Sequence, residues 1–155
     1  MEQKTKINAE DGKQELMITR EFDLPLELLF KAYVEPEIVE QVMGTKVLKL
    51  ESKKQGSYQF ETADAQGKVV FKANGVIHEF IPNSKITRTF EMENTPFGVQ
   101  LEIYEFEQLT DKTSKLNMHV IYESAALRDQ VLKLPFAQGL SMAHDRIQEI
   151  AGKLK

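Results

Sequence analysis

The segment 124–155 constrains the fold of this chain more than any other stretch. Apolar residues recur there at three- and four-residue spacing, which marks one buried stripe along a helix. The stripe consists of Leu140, Ala143, Ile147, Ile150 and Leu154. Pro135 and Gly139 lie just upstream and predict a break or kink in the helix. Because the preceding sequence has mainly strand-like patterns, we expect an antiparallel sheet wrapped over this helix, an α+β arrangement.

The bulk composition excludes several classes of function. The chain has 155 residues, and 41% of them are hydrophobic, enough for the core of one domain without metal or disulfide. It has no cysteine, which excludes disulfides, thiolate catalysis and cysteine metal ligands. The net charge of −4, without a block of Lys or Arg, predicts no nucleic-acid partner. The sequence has no apolar signal core and no span-length apolar stretch, so we expect a cytoplasmic protein without membrane insertion.

The order of patterns along the chain predicts one strand, two short helices, six further strands and the long helix. Residues 1–13 are expected to form a mobile leader, and residues 14–155 a single domain. The β-branched and apolar content of 15–23 is typical of a strand. Pro25 and Pro36 each suit the first turn of a short helix. The further strands are predicted at 45–51, 57–63, 68–81, 86–93, 99–109 and 113–122.

Turn residues predict the register of the middle strands. If the turn at 64–67 closes a four-residue loop, Phe60 faces Phe71 and Tyr58 faces Ala73, so that both pairs share one apolar face. The turn at 82–85 predicts three further pairs on this inner face, with His78 and Phe80 on the outer face. Those pairs are Ile81 with Ile86, Glu79 with Arg88, and Ile77 with Phe90.

The strand predicted at 99–109 has apolar residues of both parities, which predicts a β-bulge near Ile103. In the last strand the parity is unambiguous and gives one inward face. That face consists of Leu116, Met118, Val120 and Tyr122.

The predicted inner pair of Glu79 and Arg88 is the sharpest polar feature of the sequence. One interpretation is a structural ion pair, since buried charges require partners. The other interpretation makes Arg88 an anchor for a carboxylate or carbonyl group of a ligand in an apolar cavity. Loss of affinity in a folded Arg88→Ala variant would support the second interpretation.

The sequence offers little support for catalysis or metal binding. The three histidines, His78, His119 and His144, are scattered, and their spacing matches no zinc pattern. Parity places His78 and His119 on the outer face, while His144 adjoins the buried stripe. Asp145 lies off that stripe, and the chain has no nucleophile elbow, P-loop or dinucleotide fingerprint. We therefore expect no cofactor, no metal and no catalytic residue, with Glu79 the one plausible base.

Short motifs in order along the chain resemble the activator of Hsp90 ATPase family within the START-like superfamily. The opening resembles that family in the sequences REFDLP at 20–25 and LFKA at 29–32. Further matches are Pro36-Glu37, Gly56-Ser57-Tyr58, Gly75 with Glu79 and Pro82, and Gly139 in the final helix. The resemblance covers roughly Leu16 to Leu154. Family members commonly have tryptophans after the second short helix and after the glycine of the last helix, whereas this chain has none.

The resemblance implies a helix-grip fold, with a six- to seven-stranded sheet around the C-terminal helix. It also implies a cavity between sheet and helix for a small apolar molecule of lipid, polyketide or aromatic type. The segment 134–139 is a candidate gate, since proline and glycine weaken the helix there. The alternative interpretation of the same apolar residues is a solid core. The predicted ligand-binding residues are Phe30, Met43, Tyr58, Phe60, Phe71, Ile77, Glu79, Arg88, Phe90, Met118, Phe136, Leu140, Ala143 and Ile147.

Two other functions remain open at this point. The family's co-chaperone implies an interaction module in a stress response, with a chaperone as partner. Such a module requires an exposed patch, for which Val76, His78 and Phe80 on the outer face are candidates. An enzyme, such as a cyclase or hydrolase on the same fold, would require a polar pair deep in the pocket.

Overall fold

The computed structural model describes residues 3–155, which form one eight-stranded antiparallel sheet and four helices. The strand order across the sheet is β1-β2-β8-β7-β6-β5-β4-β3. The predicted α+β helix-grip architecture is confirmed, although the sheet has eight strands rather than six or seven. The strands are β1 Lys6–Asn8, β2 Glu15–Phe22, β3 Lys46–Leu50, β4 Ser57–Ala63, β5 Val69–Ile81, β6 Lys85–Met92, β7 Val99–Gln108 and β8 Ser114–Ile121. The helices are α1 Leu26–Val34, α2 Pro36–Met43, α3 Ala125–Leu132 and α4 Phe136–Gly152.

The additional strand lies in the segment predicted to be a mobile leader. β1 pairs antiparallel with β2, with Lys6 opposite Thr19 and Asn8 opposite Met17. Only the central residue of this short strand, Ile7, is partly buried, so its sequence lacks the apolar content that marks a strand. Met1 and Glu2, which belong to the same predicted leader, lie outside the described residues.

Proline and glycine set the helix boundaries near α1, α2 and α4. Pro25 precedes α1, and Pro36 is the first residue of α2. Gly44 ends α2 in the left-handed conformation with φ 63°, which suits glycine because it has no Cβ. The predicted break before the last helix is confirmed, since α3 ends at Leu132 and α4 begins just after Pro135.

The register of β4 and β5 differs from the prediction by two residues. Phe60 lies opposite Ala73 rather than Phe71, and Tyr58 lies opposite Gly75 rather than Ala73. The register shifts by one residue between Thr62 and Ala63, at the end of the hairpin. This irregularity cannot be read from the turn residues that define the loop.

A second irregularity corrects the predicted Glu79–Arg88 pair. The register of β5 and β6 shifts between Ile77 and Glu79, so that Arg88 lies opposite Ile77, whereas Glu79 lies opposite Thr87. The carboxylate of Glu79 is 45% exposed and forms an ion pair of 3.1 Å with Lys85. Inward-facing Arg88 therefore does not contact Glu79.

The same irregularity reverses two other predicted orientations. Phe80 turns inward and packs against Phe30, with ring centroids 5.6 Å apart. Ile81, which was expected on the inner face beside Ile86, is 46% exposed and lies opposite Lys85. One extra residue in a strand moves the following side chains to the other face, because side chains alternate with a period of two.

β7 has no bulge near Ile103, contrary to the prediction. Its register with β6 runs without a shift from Lys85–Glu105 to Glu91–Val99, and its register with β8 is equally regular. The buried parity is Glu102, Tyr104 and Phe106, whereas Leu101 and Ile103 lie on the other face. An acidic residue therefore faces the interior where the prediction placed apolar ones.

Buried residues between the sheet and the helices form one hydrophobic core. The predicted inward face of β8 is confirmed, since Leu116, Met118, Val120 and Tyr122 are all buried. The stripe on α4 is buried at Ile147 and partly buried at Leu140, Ala143 and Ile150. Leu154 lies beyond the end of α4 and is exposed.

Candidate functional site

Arg88 on β6 is the centre of a buried polar cluster on the inner face of the sheet. Its Nε donates a hydrogen bond of 2.9 Å to Oε1 of Glu102, which lies directly opposite on β7. Its Nη2 donates a bond of 2.9 Å to the hydroxyl of Tyr104, and that hydroxyl donates in turn to Oε1 of Glu102 at 2.8 Å. Both side chains of the ion pair are nearly inaccessible, with 10% of Arg88 and 7% of Glu102 exposed. The sheet thus fixes a desolvated ion pair that adjacent strands supply.

Tyrosine rings pack against the guanidinium group. The Arg88 Cζ lies 4.6 Å from the ring centroid of Tyr58 and 4.9 Å from that of Tyr104, within the range of cation–π attraction. Burial raises the pKa of Tyr58 and Tyr104, which keeps both phenols neutral. Burial by itself would lower the pKa of Arg88, but Tyr104, Tyr58 and Glu102 outweigh it and raise that pKa. Arg88 therefore stays charged.

Gly75 on β5 provides the space that Tyr58 occupies. Tyr58 lies opposite Gly75, and its hydroxyl donates a hydrogen bond to the backbone carbonyl of Thr89. A Cβ atom at position 75 would overlap both that carbonyl oxygen and the Tyr58 phenol. The absent side chain of Gly75 thus positions one of the rings beneath Arg88.

Two further polar side chains border the cluster. Gln100 on β7 donates a hydrogen bond of 2.8 Å to Oε2 of Glu102, so both oxygens of that carboxylate accept bonds. Tyr122 follows β8 and is 2% exposed, yet its hydroxyl is buried without a hydrogen-bond partner among the described residues. Burial raises the pKa of Tyr122, and the nearby charge of Glu102 raises it further. Unpartnered buried hydroxyls are rare in folded proteins.

The structure buries many, but not all, of the predicted ligand-binding residues. Met43 is 36% exposed at the end of α2, and Glu79 points away from the cluster, so neither faces the interior. The buried members are Phe30, Tyr58, Phe60, Ile77, Arg88, Met118 and Ile147. The partly buried members are Phe71, Phe90, Phe136, Leu140 and Ala143.

Sequence reasoning missed Glu102, Tyr104 and Gln100 of this cluster. A bulge near Ile103 would have reversed the side-chain orientation in part of β7. Because this bulge was expected, Glu102 was not recognised as an inward-facing residue. The available signal was the alternation of Gln100, Glu102, Tyr104 and Phe106, a row of polar and aromatic residues beside an inward-facing arginine.

A second polar cluster connects α4 to the other end of the inner face. Arg20 on β2 is 4% exposed, and its Nη1 lies 2.9 Å from the carboxylate of Asp145, which is 67% exposed. His144 is 1% exposed and shares a hydrogen bond of 2.7 Å with the hydroxyl of Thr5. Burial, together with the charge of Arg20, lowers the pKa of His144 to about 4. Through these contacts the N-terminal segment and α4 are held against β2.

The other histidines do not converge with these clusters. His78 is exposed, and His119 lies on the outer parity of β8, 2.9 Å from the carboxylate of Glu15. Within residues 3–155, no group of three or more His, Asp or Glu side chains could hold a metal ion. Across the same residues, no helix is long and apolar enough to cross a membrane.

Three depressions on the surface formed by residues 3–155 have no lining residue from α4. One of these three has a volume of about 290 Å³ and lies where β3 meets the hairpin of β4 and β5, between Lys46 and Val69. The other two, of about 100 Å³ each, border β1 and β2. None of these three depressions therefore marks the space between the inner face and α4.

The sheet wrapped around a long C-terminal helix is the START/Bet v 1-like fold, which serves as a ligand-binding or interaction module. The family model described as activator of Hsp90 ATPase homolog 1-like protein matches residues 23–152, and the chain belongs to this family. No curated protein matches the chain.

Solved structures from several bacteria share the fold. Protein Ms6760 from Mycobacterium smegmatis is 21% identical, with a TM-score of 0.83 over 95% of this chain and 96% of that chain. A protein from Rhodobacter sphaeroides is 17% identical, with a TM-score of 0.86 over 97% of this chain and 99% of that chain. A protein from Nitrosomonas europaea is 16% identical, with a TM-score of 0.79 over 96% of this chain and 100% of that chain. At these identities the likeness establishes the fold alone.

Proposed function

We propose that the protein binds a small amphipathic molecule between the inner face of the sheet and α4. The observation that supports this proposal best is the incomplete hydrogen bonding of Arg88. Nε and Nη2 donate to Glu102 and Tyr104, whereas Nη1 makes no hydrogen bond within residues 3–155 and is not one of their fully buried unpartnered atoms, so it lies at the exposed tenth of the side chain. A largely buried arginine with one accessible donor nitrogen beside apolar side chains is suited to orient the polar group of a ligand.

The start of α4 is the proposed entrance. Gln148 near the end of α4 hydrogen-bonds to the backbone of Asp23, whereas Pro135 provides the first turn of the helix with no side-chain cap. Phe136 and Leu140 in the first turns of α4 are only partly buried. A Cβ atom at Gly139 would meet open space. Outward movement of 134–139 would open the inner face with little loss of packing.

Native mass spectrometry of the purified protein tests the proposal first. We expect a mass above that of the denatured chain, and extraction should identify the retained molecule. Addition of that molecule should also slow amide hydrogen exchange at 134–139, because a closed entrance protects the backbone. A bare native mass, together with no thermal stabilisation by a panel of fatty acids, flavonoids and sterols, would contradict the proposal.

A double variant separates the role of Arg88 from a general effect on folding. Arg88→Met with Glu102→Leu replaces the ion pair by apolar groups and leaves no buried charge unpartnered, so the fold should survive. We expect this variant to lose most of the affinity for the retained molecule. Glu79→Gln is the matched control, because Glu79 lies outside the cluster and should leave affinity unchanged.

The structure does not support the surface predicted for a protein-interaction module. Phe80, its main apolar candidate, packs against Phe30 inside the protein, which leaves exposed Val76 and His78 without it. The base expected for an enzyme, Glu79, lies outside the buried cluster in an ion pair with Lys85. We therefore advance ligand binding alone.

A further inference from the structure

We infer that the inner-face site selects uncharged molecules that have a carbonyl or hydroxyl group and discriminates against carboxylates, with the Tyr122 hydroxyl as a second polar contact. This inference rests on the proposed binding function and specifies the chemical class of its ligand. Two observations support it: Glu102 neutralises the charge of Arg88, and Tyr122 offers a second hydrogen-bonding group on the same inner face.

The charge of Arg88 is already neutralised within the protein. Glu102 accepts hydrogen bonds from Arg88, Tyr104 and Gln100, a set of donors that matches an ionised carboxylate. The guanidinium and carboxylate are both buried, so the pair has no net charge in a region of low dielectric. Arg88 thus offers hydrogen bonds without offering an unbalanced positive charge.

A ligand carboxylate would enter this site as an uncompensated charge. It would have to accept from Nη1 of the same guanidinium group that Glu102 already binds, which brings two carboxylates close together. Two carboxylates bound to one guanidinium group repel each other strongly when water is excluded. The ligand carboxylate would also lose its hydration without gaining a cation of its own. A carbonyl or hydroxyl oxygen can accept the same hydrogen bond without either cost.

The other buried arginines provide no spare cation for such a ligand. Arg20 pairs with Asp145, and Arg128 pairs with Asp129 and donates to the backbone carbonyls of Glu10 and Glu15. Arg20 lies on β2 and Arg128 on α3; the charge of Arg128 reaches Tyr122, but Asp129 already matches it. Arg88 is consequently the relevant donor, and its charge is matched.

Tyr122 supplies the second contact. Ile121 lies opposite Leu101, so the next residue, Tyr122, lies beside Gln100 on the inner parity. Its buried hydroxyl can donate or accept one hydrogen bond and has no partner among residues 3–155. Arg88 lies on β6 and Tyr122 just after β8, two strands across and two residues along the sheet, which places their backbones about 12 Å apart. An uncharged oxygen function of an apolar molecule can hydrogen-bond to either of these two groups.

The test compares probes of equal chain length: 2-decanone, 1-decanol and decanoate at pH 8, titrated into the isotope-labelled protein and followed by NMR. We expect the ketone and the alcohol to bind at least about tenfold more tightly than decanoate. Equal or tighter binding of decanoate would overturn the inference and leave the proposed function standing. Binding of none of the three probes would contradict the proposed function and the inference with it.

Two variants locate the selectivity in the named residues. Tyr122→Phe removes a hydroxyl that has no protein partner, so the fold should be retained, and affinity for the ketone or the alcohol should fall about fivefold. Glu102→Gln leaves the positive charge of Arg88 without its counter-ion. Decanoate should then raise the melting temperature of this variant more than that of the wild-type protein. Unchanged probe affinity in Tyr122→Phe would remove Tyr122 from the site, and an unchanged preference in Glu102→Gln would overturn the charge argument.

Discussion

Arg88 and Arg20 are two buried arginines on the inner face of one sheet, and their charges are neutralised in different ways. The partner of Arg88 is Glu102, which is as inaccessible as Arg88 itself and comes from the adjacent strand. The partner of Arg20 is Asp145, which is 67% exposed and comes from α4. A buried partner creates a dry, electroneutral site, whereas a partner in solvent fastens one element of the fold to another.

The difference also determines what each ion pair contributes to stability. Removal of a buried partner leaves a charge that water cannot reach, whereas an exposed partner can be replaced by water. The two arginines should therefore respond very differently to neutralisation of their carboxylates.

Glu102→Gln should have the largest effect. We expect a loss of about 3–5 kcal/mol in the free energy of unfolding, because Arg88 would remain charged and buried without its counter-ion. Urea denaturation followed by circular dichroism measures this loss. The double variant Arg88→Met with Glu102→Leu is the control and should recover most of it. A loss below about 1 kcal/mol for Glu102→Gln would show that solvent reaches the pair.

The second-largest effect should be the pH dependence that His144 gives to the free energy of unfolding. Its pKa of about 4 lies below the ordinary value near 6.5, so the unfolded chain takes up a proton at higher pH than the folded protein does. Stability should accordingly fall as the pH drops below about 6.5, by about 2 kcal/mol between pH 8 and pH 5. Urea denaturation of the wild type and of His144→Gln at both pH values measures the contribution.

In the His144→Gln variant this part of the pH dependence should disappear, while that of the carboxylates persists. Arg20 and Asp145 are the charged groups that act on His144, and they are the same in both proteins. An identical pH dependence of unfolding in the two proteins would mean that His144 is hydrated in the folded state.

Asp145→Asn should give the smallest effect. The carboxylate is exposed, so water can replace it beside Arg20, and we expect a loss below about 1 kcal/mol in the free energy of unfolding. Chemical denaturation at pH 7 checks this value against Glu102→Gln. If the two losses were similar, exposure of the partner would not be the property that separates the two arginines.

Much of the fold was predictable because it depends on local patterns. The two short helices follow from Pro25 and Pro36, and the long helix follows from its apolar spacing. The inward parity of β8 follows from strict alternation of apolar and polar residues. β1 could not be predicted, because three residues with one partly buried side chain resemble a loop. Its pairing depends on the exposed edge of β2, a tertiary property.

The candidate site was less predictable because it depends on register. Arg88 was identified correctly as an inward-facing arginine, but Glu79 was assigned as its partner. The irregularity between Ile77 and Glu79 changes the face of every later residue in β5, and turn composition does not encode it. Glu102 was missed for the opposite reason, because a bulge was expected in β7, where the strand is regular. A one-residue error in strand register leaves the fold assignment unchanged, but it changes which residues are assigned to a site.

Gly75 has a consequence for genetic variation in this protein. Its missing side chain makes room for Tyr58, on which the Arg88 guanidinium rests. Alanine at this position would overlap the Thr89 carbonyl and displace the Tyr58 ring, and so would disturb the site without substituting a residue of it. A screen of random variants for conditional loss of function should therefore recover Gly75→Ala as a temperature-sensitive allele. The residue substituted in such an allele lies against the Tyr58 ring and would not itself contact the ligand.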